Sequence, residues 1–332
     1  MLLACTKACA QTDTVENLVF EGAGIRGIAY SGAIAELEAH GLLKNIKRVG
    51  GTSAGAITAL MLCLNYTAAE IEETISQTSF QKFNSGGFSV AGGLHRTKKY
   101  FGWYRSNRFE QWLDAIIKAK TGNAAITFAQ LKEQGYKQLY VTGTDLTEQK
   151  AVLFSAETFP QMPVRDAVKI SMSIPLYFEA VFMRSDGTII RHPKARNGLH
   201  VLVDGGFVAN FPIKIFDSTR FAYTTVANSF SVNRRTIGFR IDSDAQRTND
   251  STGAGLAPLP VTTFKQYLAA FYAIILENLN RQTLTKDDWQ RTVSISDGGI
   301  TPRIRRLSVR HVRTLTENGR TATTAYLKTG NR

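Results

Sequence analysis

A short apolar run near the start of the chain ends in a glycine-punctuated turn and then gives way to a helical pattern, and a second strand-like segment does the same. Asn17-Leu18-Val19-Phe20-Glu21 leads into Gly22-Ala23-Gly24-Ile25-Arg26-Gly27. A second run, at about 47–50, leads into Gly51-Thr52-Ser53-Ala54-Gly55. Ala29, Ala33, Ile34 and Leu37 then recur at helical spacing, and Gly41 is a natural stop for a helix over about 28–40. The helix expected over about 54–65 is apolar on nearly every side, which implies burial. Thr67 and Glu70 form a capping-box pattern for the next helix. Strand, helix, strand, helix in that order requires a parallel sheet with helices on both faces.

The rest of the chain continues in the same manner. Helices are expected over about 108–120 and 164–171, and strands over 139–144, 151–154 and 199–203, the last ending at Asp204-Gly205-Gly206. Residues 185–198 read as an exposed polar loop. Thr262 to Asn280 reads as a long helix. Its nine consecutive apolar residues, Leu268 to Leu276, are too few to cross a bilayer and are expected in the core. With 332 residues, 43% hydrophobic and 20% charged, the composition is that of a globular chain and argues against wholesale disorder. The expected organisation is a leader over 1–14, one large domain over 15–290 and a basic extension over 291–332.

Gly51-Thr52-Ser53-Ala54-Gly55 is a G-x-S-x-G at a strand-to-helix junction. Such a turn is sharp, needs small flanking residues, and lifts the serine hydroxyl above the sheet at a helix N-terminus, where negative charge is favoured. Gly22 to Gly27 is formally a dinucleotide-binding G-x-G-x-x-G, which would also call for an acidic residue closing the second strand. That strand closes on Gly50-Gly51-Thr52-Ser53 instead, and Glu36 and Glu38 fall inside the first helix. The same loop suits another role: its backbone N–H groups, with Arg26 beside them, can hold an oxyanion, and one such donor is worth ~3 kcal/mol in a transition state.

A serine nucleophile needs a base. His40, His95, His192, His200 and His311 all lack a signature context; His200, four residues before Asp204, is the best placed. Asp204 stands out more, at the end of the apolar run Val201-Leu202-Val203 and ahead of two glycines. An Asp-Gly turn is also a common structural device. A second Asp-Gly-Gly begins at Asp297.

In combination these motifs resemble the patatin-like phospholipases, over about residues 15–215. Gly22 to Gly27 resembles the family's glycine-rich oxyanion loop, with Ala23 where the family usually has glycine. Gly51 to Gly55 matches its G-x-S-x-G, and Asp204-Gly205-Gly206 its D-G-[AG]. Ser171-Met172-Ser173-Ile174-Pro175 with Phe178 is similar to a family segment near the active site. The resemblance implies a three-layer α/β/α fold with a mainly parallel sheet, and a Ser-Asp dyad without histidine. It implies Ser53 as nucleophile, Asp204 as base, and an oxyanion hole from Gly22, Ala23, Gly24, Arg26 and Gly27. Gly51, Gly55, Gly205 and Gly206 would shape the two turns. No metal or cofactor is implied, and Asp297 is a decoy. Two other readings stay open: a Ser-His-Asp esterase, which makes His200 or His311 essential, and a lipid-surface binding protein without catalysis.

The formal charge is 40 − 27 = +13. So basic a chain favours partners that carry phosphate. Its basic–aromatic stretch, His95 to Trp112, fits an anionic membrane surface, with phospholipid or another acyl lipid as substrate. No nucleic-acid module accompanies it. Residues 301–332 hold eight Lys or Arg and one Glu. Asp242 with Asp244, and Asp287 with Asp288, match no calcium-loop spacing and are expected in exposed turns. Cys63 is expected to be a buried small hydrophobe, while Leu2 to Cys5 and Ala8 to Ala10 resemble lipobox and signal-cleavage remnants. These imply a protein peripheral to a membrane, either cytoplasmic or, with a secretory leader, periplasmic.

Overall fold

The computed structural model describes residues 15–329 except 87–89, 218–230, 254, 265, 268–269, 272–273, 275–280, 282 and 302–305. The leader over 1–14 therefore lies outside the described residues. Among those described, the strands are β1 (Asn17–Phe20), β2 (Arg48–Gly51), β3 (Gly102–Tyr104), β4 (Gln138–Asp145), β5 (Lys150–Phe154), β6 (Leu176–Phe178), β7 (Val181–Met183), β8 (Ile189–Ile190), β9 (His200–Asp204), β10 (Thr236–Asp242) and β11 (Thr292–Ser296). The helices are α1 (Ala29–Ala39), α2 (Ala54–Cys63), α3 (Ala68–Gln77), α4 (Val90–Tyr100), α5 (Asn107–Thr121), α6 (Phe128–Glu133), α7 (Val164–Ser171), α8 (Gly206–Ala209), α9 (Asp244–Thr252), α10 (Lys286–Gln290) and α11 (Val309–Thr329).

Nine strands form one twisted sheet flanked by helices, a three-layer α/β/α arrangement. Five of them, in the order β11-β10-β1-β2-β4, run parallel. Their apolar runs are buried on both faces, as a parallel sheet demands: Leu18, Val19, Phe20, Val49, Phe239 and Ile295 are all fully covered.

The remaining strands are antiparallel and set the site. One side of β4 pairs with β5 along Val141 to Asp145. Its other side pairs first with β2, which reaches Val141 at Gly51. It then pairs with β9, which arrives from the opposite direction and reaches Gly143 at Asp204. Strands β2 and β9 thus meet nearly end to end along one edge of β4, two residues apart in register. That places the turn after β2 beside the turn after β9.

Four expectations need correction here. The domain does not stop at residue 290: β11 is a parallel strand of the central sheet, and α11 packs along α1. That crossing is close, because a side chain on Gly32 would strike the Thr316 carbonyl and one on Gly319 the Ala29 carbonyl. Most of the run Leu268 to Leu276, expected in the core, lies outside the described residues, but Phe264, Tyr267, Phe271 and Ile274 of this helical segment face solvent. Asp242 and Asp288, expected in exposed turns, are buried against Arg240, Arg281 and Arg291. The loop over 185–198 contains the short strand β8. Cys63 is buried as expected, and burial pushes its thiol pKa up to about 12. The capping box at Thr67 and Glu70 is present.

Candidate active site

Ser53 is the first residue after the β2 turn and caps helix α2, with φ 52° and ψ −120°. A non-glycine residue held there is strained, and such strain is tolerated where the surroundings over-determine it. The neighbours must be small for the turn to close: a side chain on Gly55 would meet the Phe20 carbonyl at 2.2 Å, and one on Gly51 the backbone of Gly55 at 2.5 Å. Thr52 secures the turn by bonding the Thr142 hydroxyl at 2.5 Å and donating to the Ala209 carbonyl at 2.7 Å. The Ser53 N–H donates to Ser171 Oγ at 2.8 Å, which fixes the backbone from the side of α7.

The Ser53 hydroxyl donates to Asp204 Oδ2 at 2.8 Å, across 151 residues of chain. Asp204 Oδ1 accepts the Gly206 N–H at 2.7 Å, and the Asp204 N–H donates to the Ser173 carbonyl. Gly205 lies against Thr142, where a side chain would strike the Thr142 carbonyl at 2.6 Å. Among the described residues no cation pairs with Asp204. Burial therefore dominates and lifts its pKa to about 6, while the Gly206 and Ser53 hydrogen bonds pull the other way. A carboxylate at that value is a far better proton acceptor near neutral pH than an ordinary aspartate.

The glycine-rich loop stands over the same turn. Gly22 is locked by two bonds with Asn210: its N–H donates to the Asn210 carbonyl at 3.0 Å, and its carbonyl accepts from Asn210 Nδ2 at 3.2 Å. A side chain at Gly22 would collide with Asn210 and approach Ser53. Ala23 keeps a negative φ of −132°, so the alanine in place of the family's glycine is accommodated, and Gly24 supplies the left-handed step at φ 56°. A 3₁₀ turn begins at Gly24 with no side-chain cap, so its leading N–H groups lack intrahelical partners, as do those at the start of α2. Gly27 packs on Ala54. Arg26 braces the loop: Nε donates to the Ala23 carbonyl at 3.3 Å, and Nη1 donates to Asp297 Oδ2 at 3.3 Å. Asp297, set aside from the sequence as a decoy, is thus the anchor of the loop's arginine.

A cleft opens beside Ser53 and Gly24, lined mainly by Ile57, Ile75, Phe83, Phe109, Met172 and Phe178. Its walls are almost wholly apolar. Sequence reasoning found the Met172 to Phe178 wall through its motif. It missed the wall from α3 and from Phe80 and Phe83, which carry no motif and meet Phe109 and Trp112 only in the fold. The roles of Asn210 and Ser171 emerge only from long-range bonds.

The histidines lie elsewhere. His200 Nδ1 meets Asp145 Oδ2 at 2.7 Å and its Nε2 meets Ser185 Oγ at 3.1 Å, while Ser53 Oγ bonds Asp204. His192 pairs with Glu179 and stacks on Tyr100, and His40 pairs with Glu36. Among the described residues no group of three His, Cys, Asp or Glu side chains is arranged to hold a metal ion.

A serine on a strained elbow, a carboxylate bonded to it, a glycine-rich loop and an apolar cleft together describe a hydrolase of acyl compounds. The model of the patatin-like phospholipase family matches residues 18–217, and the chain belongs to that family of lipid-hydrolysing enzymes. It is similar to YqhO of Bacillus subtilis, with 32% identity over 212 residues that cover 61% of this chain and 67% of that one. It is also similar to 463L of Invertebrate iridescent virus 6, described as a probable lipid hydrolase, with 27% identity over 206 residues covering 60% and 62% of the two chains. VipD of Legionella pneumophila shares the fold, with a TM-score of 0.56 at 16% identity, covering 96% of this chain and 67% of its own. The matches thus span about two thirds of each of these relatives.

Proposed function

We propose that the chain hydrolyses carboxyl esters of phospholipids through an acyl-Ser53 intermediate, in the manner of a phospholipase A or lysophospholipase. The observation that carries this reading is the 2.8 Å bond from Ser53 Oγ to the cation-free Asp204 at the mouth of an apolar cleft. An acyl chain enters the cleft, and Ser53 Oγ attacks the ester carbonyl carbon as its proton passes to Asp204. The oxyanion is received by N–H groups of Ala23 and Gly24 and by the N-terminus of α2. Collapse expels the alcohol, which takes the proton from Asp204. Asp204 then takes a proton from water as it attacks the acyl-enzyme, the bond from Ser53 Oγ to the acyl carbon breaks, Ser53 Oγ takes that proton back from Asp204, and the fatty acid leaves. The excess of basic residues favours phosphate-bearing lipids and a peripheral position on an anionic membrane. Among the described residues no helix is long and apolar enough to cross a membrane.

The test is fatty-acid release from phospholipid vesicles. Ser53→Ala and Asp204→Asn are each expected to lower turnover by about 10⁴-fold, with an unchanged circular dichroism spectrum. Loss of turnover in His200→Ala together with full activity in Asp204→Asn would overturn the assignment.

A further inference from the structure

Ile174 and Phe178 line the cleft, and between them Leu176 stands 59% exposed with φ 66°. Its N–H donates at 3.2 Å to the carbonyl of Phe101, which is itself 37% exposed with φ 63°. Left-handed backbone is costly for bulky residues and is held only where the fold enforces it. Here the strain brings no burial; it turns two large apolar side chains outward beside the cleft. The adjoining helix α4 adds Val90 and Leu94, one turn apart and 77% and 59% exposed.

The charge around these four residues is mainly positive, with Glu179 and Glu110 taken up by His192 and Arg191. Segment 84–109 holds five Lys or Arg and no Asp or Glu; segment 189–203 holds three and none. Together they supply eight positive charges toward a net +13. The two segments are joined in space: the Arg196 guanidinium lies 4.7 Å over the Phe101 ring, and Tyr100 stacks on His192. Lys98 and Lys99 are exposed on the helix that carries Leu94.

We propose that this rim docks onto the surface of an anionic phospholipid bilayer. Val90, Leu94, Phe101 and Leu176 enter the headgroup–acyl boundary while the surrounding Lys and Arg meet lipid phosphates. An acyl chain then passes Leu176 to reach the cleft, a route that rests on the reading of Ser53 given above. The other exposed stripe, Phe264, Tyr267, Phe271 and Ile274, contributes no residue to the cleft lining and provides an internal control.

The experiment uses the full chain carrying Ser53→Ala, so that vesicles stay intact, and follows flotation with vesicles. Binding to phosphatidylcholine–phosphatidylglycerol vesicles is expected to exceed binding to phosphatidylcholine alone. Adding Leu94→Asp, or Lys98→Glu with Lys99→Glu, is expected to weaken it about tenfold or more, and Phe264→Asp by less than about twofold. With Ser53 restored, the rim variants keep their turnover of a soluble ester such as p-nitrophenyl butyrate. Equal binding to both vesicle types, or loss with Phe264→Asp rather than the rim changes, overturns the proposal. So does a change in oligomeric mass on rim substitution without a change in vesicle binding, which makes the rim a protein contact. Rim-dependent binding by an unsubstituted chain that turns over no soluble ester leaves the docking surface standing and removes the hydrolytic reading instead.

Discussion

Buried carboxylates stand at one edge of the central sheet and near its middle, and they are treated in opposite ways. At β10 and β11, Glu21 and Asp242 meet Arg240, Asp242 also meets Arg281, and Asp217 and Asp288 share Arg291. At the junction of β2 and β9, Asp204 is equally buried, but among the described residues its carboxylate meets the Ser53 hydroxyl and the Gly206 N–H and no cation. For Asp288, burial opposes the charge, yet Arg291, Thr285 and Lys214 outweigh it and hold the carboxyl below its ordinary range. For Asp204, burial wins and the pKa rises to about 6. Geometry alone does not separate a structural acid from a reactive one here; the presence or absence of a cation does.

The strongest way to break this contrast is to remove a cation from the first region. Arg291→Met leaves Asp217 and Asp288 buried without their shared partner and is expected to cost about 3–5 kcal/mol, read as a lower urea midpoint. Asp204→Asn, which removes a buried charge, is expected to leave that midpoint unchanged or raise it at neutral pH.

A pH series sharpens the comparison. The folded chain holds the Asp204 proton up to about pH 6, whereas the unfolded chain releases it near ~4. The stability from the protonated form is therefore complete below the lower value and is lost as pH rises through the upper one, about 3 kcal/mol in all. Asp204→Asn is expected to erase that slope. The acid limb of kcat/KM on a soluble ester is expected to rise with a midpoint near the same pH of about 6.

Smaller effects test the supporting residues. Asp297→Asn retains an acceptor for the Gly299 N–H but removes the charge that holds Arg26. Steady-state kinetics are expected to show kcat lower by about fivefold with KM little changed. His200→Ala is expected to change turnover by less than about twofold and stability by about 1 kcal/mol, because Asp145 keeps the N–H groups of Thr147 and Glu148.

The first two strand–turn–helix units and both ends of the Ser53–Asp204 pair are legible in the sequence, because steep turns demand glycine and leave local marks. What brings the pair together is not. Asp204 reaches Ser53 because β9 runs antiparallel along the edge of β4 that β2 has vacated, a pairing between distant segments that no local pattern encodes. Strand β11 reads as tail because Thr292-Val293-Ser294-Ile295-Ser296 alternates polar and apolar residues, unlike the continuous apolar runs of β1 and β9. In the run from Leu268 to Leu276, the described Phe271 and Ile274 face water: unbroken apolarity says that some face is covered, not which. Asp297 reads as a spare motif because its partner, Arg26, lies 271 residues away.

The brace on the glycine-rich loop also has a consequence for how much of the chain the site needs. Ser53, Asp204 and most of the cleft are encoded in the first two thirds of the chain. Asp297, which holds Arg26, and helix α11, which packs over α1 directly behind the loop, come from much later in the sequence. A chain cut after Asp204 is therefore expected to keep the Ser53–Asp204 pair but to lose the clamp on Arg26. The loop beside Ser53 is held by segments that lie far from it in sequence.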